Sequence, residues 1–154
     1  GVYAQRYDSS GAAKGDEFLV NTYTTANQEK PSVVSLADGG FAVVWESYGQ
    51  DGSLEGVYSQ LYDGSGNPVA DEFRINTTTA GDQGDPDMAS LHDLGLVAVW
   101  ETEARDTSLQ DVYGQIFTVD MNEYAGYSIS DIQSGGDMEL MGVEGFDVDN
   151  NPEL

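Results

Sequence analysis

Gly56-Val57-Tyr58-Ser59-Gln60-Leu61-Tyr62-Asp63 decides the fold, because it restates Gly1-Val2-Tyr3-Ala4-Gln5-Arg6-Tyr7-Asp8. A third version, Asp111-Val112-Tyr113-Gly114-Gln115-Ile116-Phe117, follows at the same spacing of 55 residues. Working outward, Asp16-Glu17-Phe18 matches Asp71-Glu72-Phe73, Pro31 matches Pro86, and Val44-Trp45-Glu46 matches Val99-Trp100-Glu101. About half the positions of residues 1–55 are identical in 56–110, with no gap. A period of this length that holds several short strands points to propeller blades or a related β array.

Each repeat reads as four strands. Val2–Tyr7 alternates, with Val2, Ala4 and Arg6 on one face and Tyr3, Gln5 and Tyr7 on the other. Asp8-Ser9-Ser10-Gly11 and Asp63-Gly64-Ser65-Gly66 are turns. Glu17–Asn21 is a short strand, followed by a polar loop that ends at Pro31, then a strand at Ser32–Leu36. Asp38-Gly39-Gly40 is a hairpin signal, and Phe41–Glu46 is apolar enough to be buried on both faces. The expected class is all-β: antiparallel four-stranded units like propeller blades, in a partial propeller or an open array. The units are residues 1–55, 56–110 and a degenerate third at 111–132; residues 133–154 form an acidic tail or closing strands. Tyr127–Ser130 and Met138–Val148 are the candidate strands there. The expected core is Phe18, Leu36, Phe41, Val43 and Trp45 with their copies Phe73, Leu91, Leu96, Ala98 and Trp100.

The chain holds 28 acids against five bases, a formal charge of −23. That excludes nucleic acid as a partner, which needs clustered Lys and Arg, and it disfavours anionic membranes. The charge fits either a solvated acidic surface or carboxylates partly neutralised by calcium. There is no cysteine, so disulfides and thiolate chemistry are excluded. A single histidine, His92, supports neither a His-rich metal site nor a Ser–His–Asp set. No apolar run approaches the length of a membrane helix. The chain starts within a repeat, which reads as a piece of a larger protein.

The pattern Pro31 through Trp45, then Asp51-Gly52-Ser53, then Gly56 through Asp63, then Glu72 through Thr77, resembles tandem repeats of large secreted bacterial proteins. These are the RTX-like, haemolysin-type calcium-binding and adhesin-like proteins. The likeness covers residues 1–117. It implies an extracellular or cell-surface location, calcium in the surroundings, and a role in adhesion or display. The glycine-rich calcium-binding nonapeptide of those proteins is absent from this chain.

Four constellations carry candidate chemistry. Trp45-Glu46 and Trp100-Glu101 place a carboxylate beside an aromatic ring at two equivalent positions, which suggests glycoside hydrolysis, a reaction that needs two carboxylates about 5–10 Å apart. Their symmetry favours tryptophans in the core and glutamates at solvated strand ends. The loops at Asp51-Gly52-Ser53 and Asp106-Thr107-Ser108 offer oxygens to calcium, or are structural turns. Asp147, Asp149 and Asn151 alternate like the start of a calcium loop, but Pro152 stands where its glycine belongs, so a plain tail competes. The pairs Tyr3 with Gln5, Tyr58 with Gln60 and Tyr113 with Gln115 join a flat ring to an amide, which suits a sugar; they also suit a cross-strand packing ladder. The resulting expectation is a non-enzymatic binding or adhesion module with calcium and a glycan as ligands and a homo-oligomeric assembly. A propeller-type glycan-degrading enzyme and a structural spacer are the alternatives.

Overall fold

The computed structural model describes residues 1–91, 95–103 and 110–118. They form nine strands and no helix: β1 (Tyr3–Ala4), β2 (Phe18–Leu19), β3 (Gln28–Ser35), β4 (Phe41–Tyr48), β5 (Glu55–Tyr62), β6 (Phe73–Arg74), β7 (Gln83–Ser90), β8 (Gly95–Glu103) and β9 (Gln110–Thr118). Every pairing is antiparallel between chain neighbours, in sheets β1-β2, β3-β4-β5-β6 and β7-β8-β9. The all-β expectation holds. Among the described residues the sheets close into neither a barrel nor a propeller.

The four-stranded sheet spans Gln28 to Arg74, so it takes two strands from each side of the 55/56 repeat boundary. The hairpin joining β4 to β5 is what carries it across, through eight register pairs from Phe41↔Tyr62 to Tyr48↔Glu55. Ring stacking of Phe41 on Tyr62, with centroids 4.7 Å apart, fixes one end of that ladder.

Three sheets stack as layers. Phe18, Val2 and Val20 of the first layer pack on Phe41, Val43, Trp45, Tyr58 and Tyr62 of the second. On the opposite face of the second layer, Ala42, Val44, Val57, Leu61 and Ile75 pack on Leu96, Ala98, Trp100 and Phe117 of the third. The alternation of a strand places neighbouring residues on opposite faces, so β4 and β5 are buried on both sides, as the apolar run at Phe41–Glu46 predicts. One ring contact repeats: Phe18 meets Tyr62 edge-on at 5.4 Å, and their counterparts Phe73 and Phe117 meet edge-on at 6.2 Å.

Several expectations need correction. Pro31 does not end a loop. It lies inside β3, where the register shifts between Glu29 and Ser32, and Lys30 takes a φ of 49°. The bulge removes the proline from the ladder, so its missing N–H costs no bond. The same shift recurs between Gly84 and Asp87, with Asp85 at 50°. Val2–Tyr7 pairs as a strand only at Tyr3–Ala4, because the β4-type partner that extends β5 has no counterpart beside β1 among the described residues. Leu91 is exposed and Leu36 only half-buried. Leu36 packs toward the third layer; Leu91 points where no described layer follows. Phe18, Phe41 and Phe73 are half-buried, and Val43, Trp45, Leu96, Ala98 and Trp100 are buried as expected. Glu46 is no solvated strand end: it is buried. His92 and the candidate strands Tyr127–Ser130 and Met138–Val148 lie outside the described residues.

Candidate functional site

The repeated polar residues come first, because their partners show what they do. Asn76 accepts the Val57 N–H at 2.8 Å and donates to the Thr78 carbonyl at 2.6 Å and to Gln83 Oε1 at 3.0 Å. Gln83 in turn donates to the Ala80 carbonyl at 2.9 Å. Asn21 and Gln28 make the same set with Val2, Tyr23 and Thr25. All four side chains are buried. Each pair clamps the polar loop that leads from one sheet to the next, satisfying backbone groups that packing has removed from water. Identical Asn and Gln at a 55-residue spacing were the sequence signal for this clasp.

The Tyr-x-Gln-x-Tyr strands separate by layer. Gln60 is buried and its amide donates to the carbonyls of Leu61 at 3.1 Å and Ala70 at 2.6 Å. Tyr58 and Tyr62 are buried beneath the first layer, and burial pushes both phenols up to about 12. In the third layer Tyr113 and Gln115 are half-buried, with Tyr113 packed toward the second. Only in the first layer does the motif face outward. Tyr3 and Tyr7 are exposed there, while Gln5 donates to the carbonyls of Arg6 at 2.9 Å and Gly15 at 3.1 Å. The three Tyr/Gln pairs thus stand on three separate layers.

Tyr3 and Tyr7 border a groove of about 420 Å³. Its other walls are Pro31, Val33, Phe41 and Val43 of the second sheet, which the sequence did not single out as site residues. The groove exists because the first layer has two strands where the second has four. The β3–β4 half of the second sheet is therefore only partly covered, with Val43 buried and Phe41 half-buried. Val33 is exposed at the groove. Arg6 crosses the layer gap to the carbonyls of Ser65 and, at 2.7 Å, Gly64.

The expected calcium loop is a turn in which Asp51 Oδ1 accepts the Ser53 N–H at 3.1 Å. Ser53 Oγ donates to the Gly81 carbonyl at 3.3 Å. Calcium takes six to eight oxygens, and no group of three or more acid or histidine side chains converges on a metal-sized site among the described residues. Asp106, Asp147, Asp149 and Asn151 lie outside those residues. Nearby, desolvation and then the hydrogen bond with Asp82 hold the Glu55 carboxyl above its usual value.

Glu46 anchors a charged contact between layers. Its Oε2 accepts the Asp85 N–H at 3.0 Å and its Oε1 lies 3.4 Å from Lys30 Nζ. Lys30 also reaches Asp85 Oδ1 at 2.8 Å. The carboxylate can be buried because a cation and a backbone donor compensate it. Among the described residues no helix is long and apolar enough to cross a membrane. No family model matches this chain, and no curated protein and no solved structure is matched by it.

Proposed function

We propose that this chain is a non-enzymatic extracellular binding and adhesion module, with its sheets arranged as successive blades of a propeller-like stack. The observation that carries the binding reading is the open face of the first layer. The aromatic motif that the second layer buries is presented there to solvent, beside a groove of about 420 Å³. The blade reading is supported by contacts between equivalent residues. Lys30 meets Asp85 at 2.8 Å and Ser32 meets Asp87 at 2.7 Å, each pair 55 residues apart on β3 and β7. Rotation about an axis close to those strands would bring equivalent positions together in this way.

A glycan is the ligand class this face suits, because Tyr3 and Tyr7 offer flat apolar surface for a sugar ring. Calcium belongs to the same proposal. It is supported by the net charge and by Asp51 Oδ2, buried without a hydrogen-bond partner among the described residues. The test is a titration with a panel of oligosaccharides, on the parent chain and on Tyr3→Ala/Tyr7→Ala. Saturable binding that the double variant loses at unchanged melting temperature supports the reading. Binding unaffected by the two substitutions removes the face from it.

A further inference from the structure

The faces that meet inside the molecule are of two kinds, and the chain uses the same pair twice. One is mainly aliphatic: Val2 and Val20 beside Phe18 in the first layer, Val44, Val57, Leu61 and Ile75 beside Phe73 in the second. The other carries the large rings: Trp45, Tyr58 and Tyr62 in the second layer, Trp100, Tyr113 and Phe117 in the third. Each interface sets the aliphatic face of one layer on the ring face of the next. The edge-on contacts Phe18–Tyr62 and Phe73–Phe117 show that the geometry repeats with the residues.

Among the described residues two halves of this interface are left over. At one end, the first layer turns its ring face outward, with Tyr3 60 % and Tyr7 64 % exposed. At the other, the third layer turns its aliphatic face outward. Val112 is 74 % and Ile116 60 % exposed, and Val99 beside them on β8 is also exposed. Their counterparts in the second layer, Val57, Leu61 and Val44, are fully buried. Exposed apolar side chains grouped on one sheet face mark an interaction surface.

We infer that copies of this chain associate head to tail, the Val112–Ile116 face of one copy covering the Tyr3–Tyr7 face and its groove in the next. The inference rests on the reading of the first-layer face as a binding surface and gives it a second copy as partner, which competes with a glycan for Tyr3 and Tyr7. A second copy is the occupant because its Val112–Ile116 face is the repeat counterpart of the Val2 face that covers Tyr58 and Tyr62 within the molecule. Val33, exposed at the groove, adds to the apolar surface beside Tyr3 and Tyr7. The contact is heterologous, so it closes into a ring or runs on as a filament, according to the rotation between layers. The three described layers cannot close by themselves, since propellers have about four to eight blades. Two copies bring six. The charge of −23 on each copy opposes their approach, so association strengthens with added salt.

The experiment uses sedimentation velocity at micromolar concentration in low and high sodium chloride. The parent chain is compared with Val112→Glu/Ile116→Glu, blocked on the aliphatic face, and Tyr3→Glu/Tyr7→Glu, blocked on the ring face. All altered side chains are exposed, and fluorescence of the buried Trp45 and Trp100 checks that each variant folds. The parent should be oligomeric, more so in high salt. Each variant alone should associate about a hundredfold more weakly, because an unpaired charge in an apolar contact is costly. An equimolar mixture of the two should form a discrete heterodimer, because each keeps the face the other lacks. A parent that stays monomeric at all salt concentrations, or a mixture that does not associate, overturns the inference. If that monomer still binds an oligosaccharide through Tyr3 and Tyr7, the binding face stands and only its partner falls. If it does not, both fall. Self-association of either variant at parental strength would mean like faces pairing, and would overturn the head-to-tail contact.

Discussion

Lys30 and Asp85 occupy the same position of successive repeats and form an ion pair at 2.8 Å. Both sit on a β-bulge with nearly the same left-handed backbone, φ 49° and 50°. Two copies of one residue there would set like charges against each other. Divergence at this position turns the contact into a complementary one and gives buried Glu46 its cation. The hydrogen bond with Asp85, ahead of the Glu46 charge, holds the Lys30 ammonium above its ordinary value.

Replacing Lys30 by Met should therefore destabilise the fold by about 1–2 kcal/mol. That is below the range for a fully buried pair, because Lys30 is half exposed and water screens its charge. Adding Glu46→Gln should recover part of the loss, since the second change removes the stranded carboxylate. Urea unfolding of the single and double variants measures both; a double variant no better than Lys30→Met would show that Glu46 does not depend on the cation.

Trp45 is fully buried between the first two layers. Trp45→Ala should cost about 3–5 kcal/mol, the usual result of truncating a buried ring. Chemical denaturation reads the difference. A loss under about 1 kcal/mol would mean that the first layer does not pack as described.

Asn76 satisfies three backbone or side-chain groups at once. Asn76→Ala strands the buried Val57 N–H and leaves Gln83 Oε1 without its donor, at a cost of about 2–3 kcal/mol. Asn76→Asp keeps the acceptor for Val57 but sets an uncompensated buried carboxylate oxygen against the Thr78 carbonyl, so it should cost at least as much as Asn76→Ala. Hydrogen exchange at the Val57 amide separates the variants: accelerated in Ala, protected in Asp.

Tyr58 and Tyr62 titrate near 12 when folded, against 10.0 for a free phenol. The sign follows from linkage. A folded value above the unfolded one means stability is complete below pH 10 and is lost as pH rises toward 12, because only the unfolded state ionises in that window. Melting temperature should fall steeply there, and Tyr62→Phe should flatten the fall. An unchanged slope in that variant would place the alkaline transition elsewhere.

Millimolar calcium should raise the melting temperature more than sodium chloride of equal ionic strength, since a ligand of the native state stabilises by mass action. Asp51→Asn should shrink that excess. Equal shifts with both salts would reduce the effect to screening of the acidic chain.

The local grammar of the fold was legible in the residues. The 55-residue period, the doubly buried run at Phe41–Glu46, the Asp38-Gly39-Gly40 turn and the buried tryptophans all follow from short-range pattern. So do the Asp8 and Asp63 turns, where each carboxylate accepts two backbone N–H groups within four residues. Alternation and turn chemistry act over a few residues that are adjacent in the chain.

The candidate site was legible only as a motif. Tyr3 and Tyr58 have the same neighbours in sequence, yet one is exposed and the other buried. Glu46 reads as a strand end and is buried because Lys30 and the Asp85 N–H arrive from elsewhere. Pro31 reads as a loop boundary and sits in a strand because a bulge takes it out of the ladder. Where each sheet begins and ends also came from pairing, since a period defines a repeat length and leaves its phase free. The sequence by itself determined the repeating unit, its strands and the two kinds of face. Tertiary structure decided which copies of those faces are covered, because burial depends on the layer that lies opposite, and no residue encodes its own neighbour across a 10 Å sheet spacing.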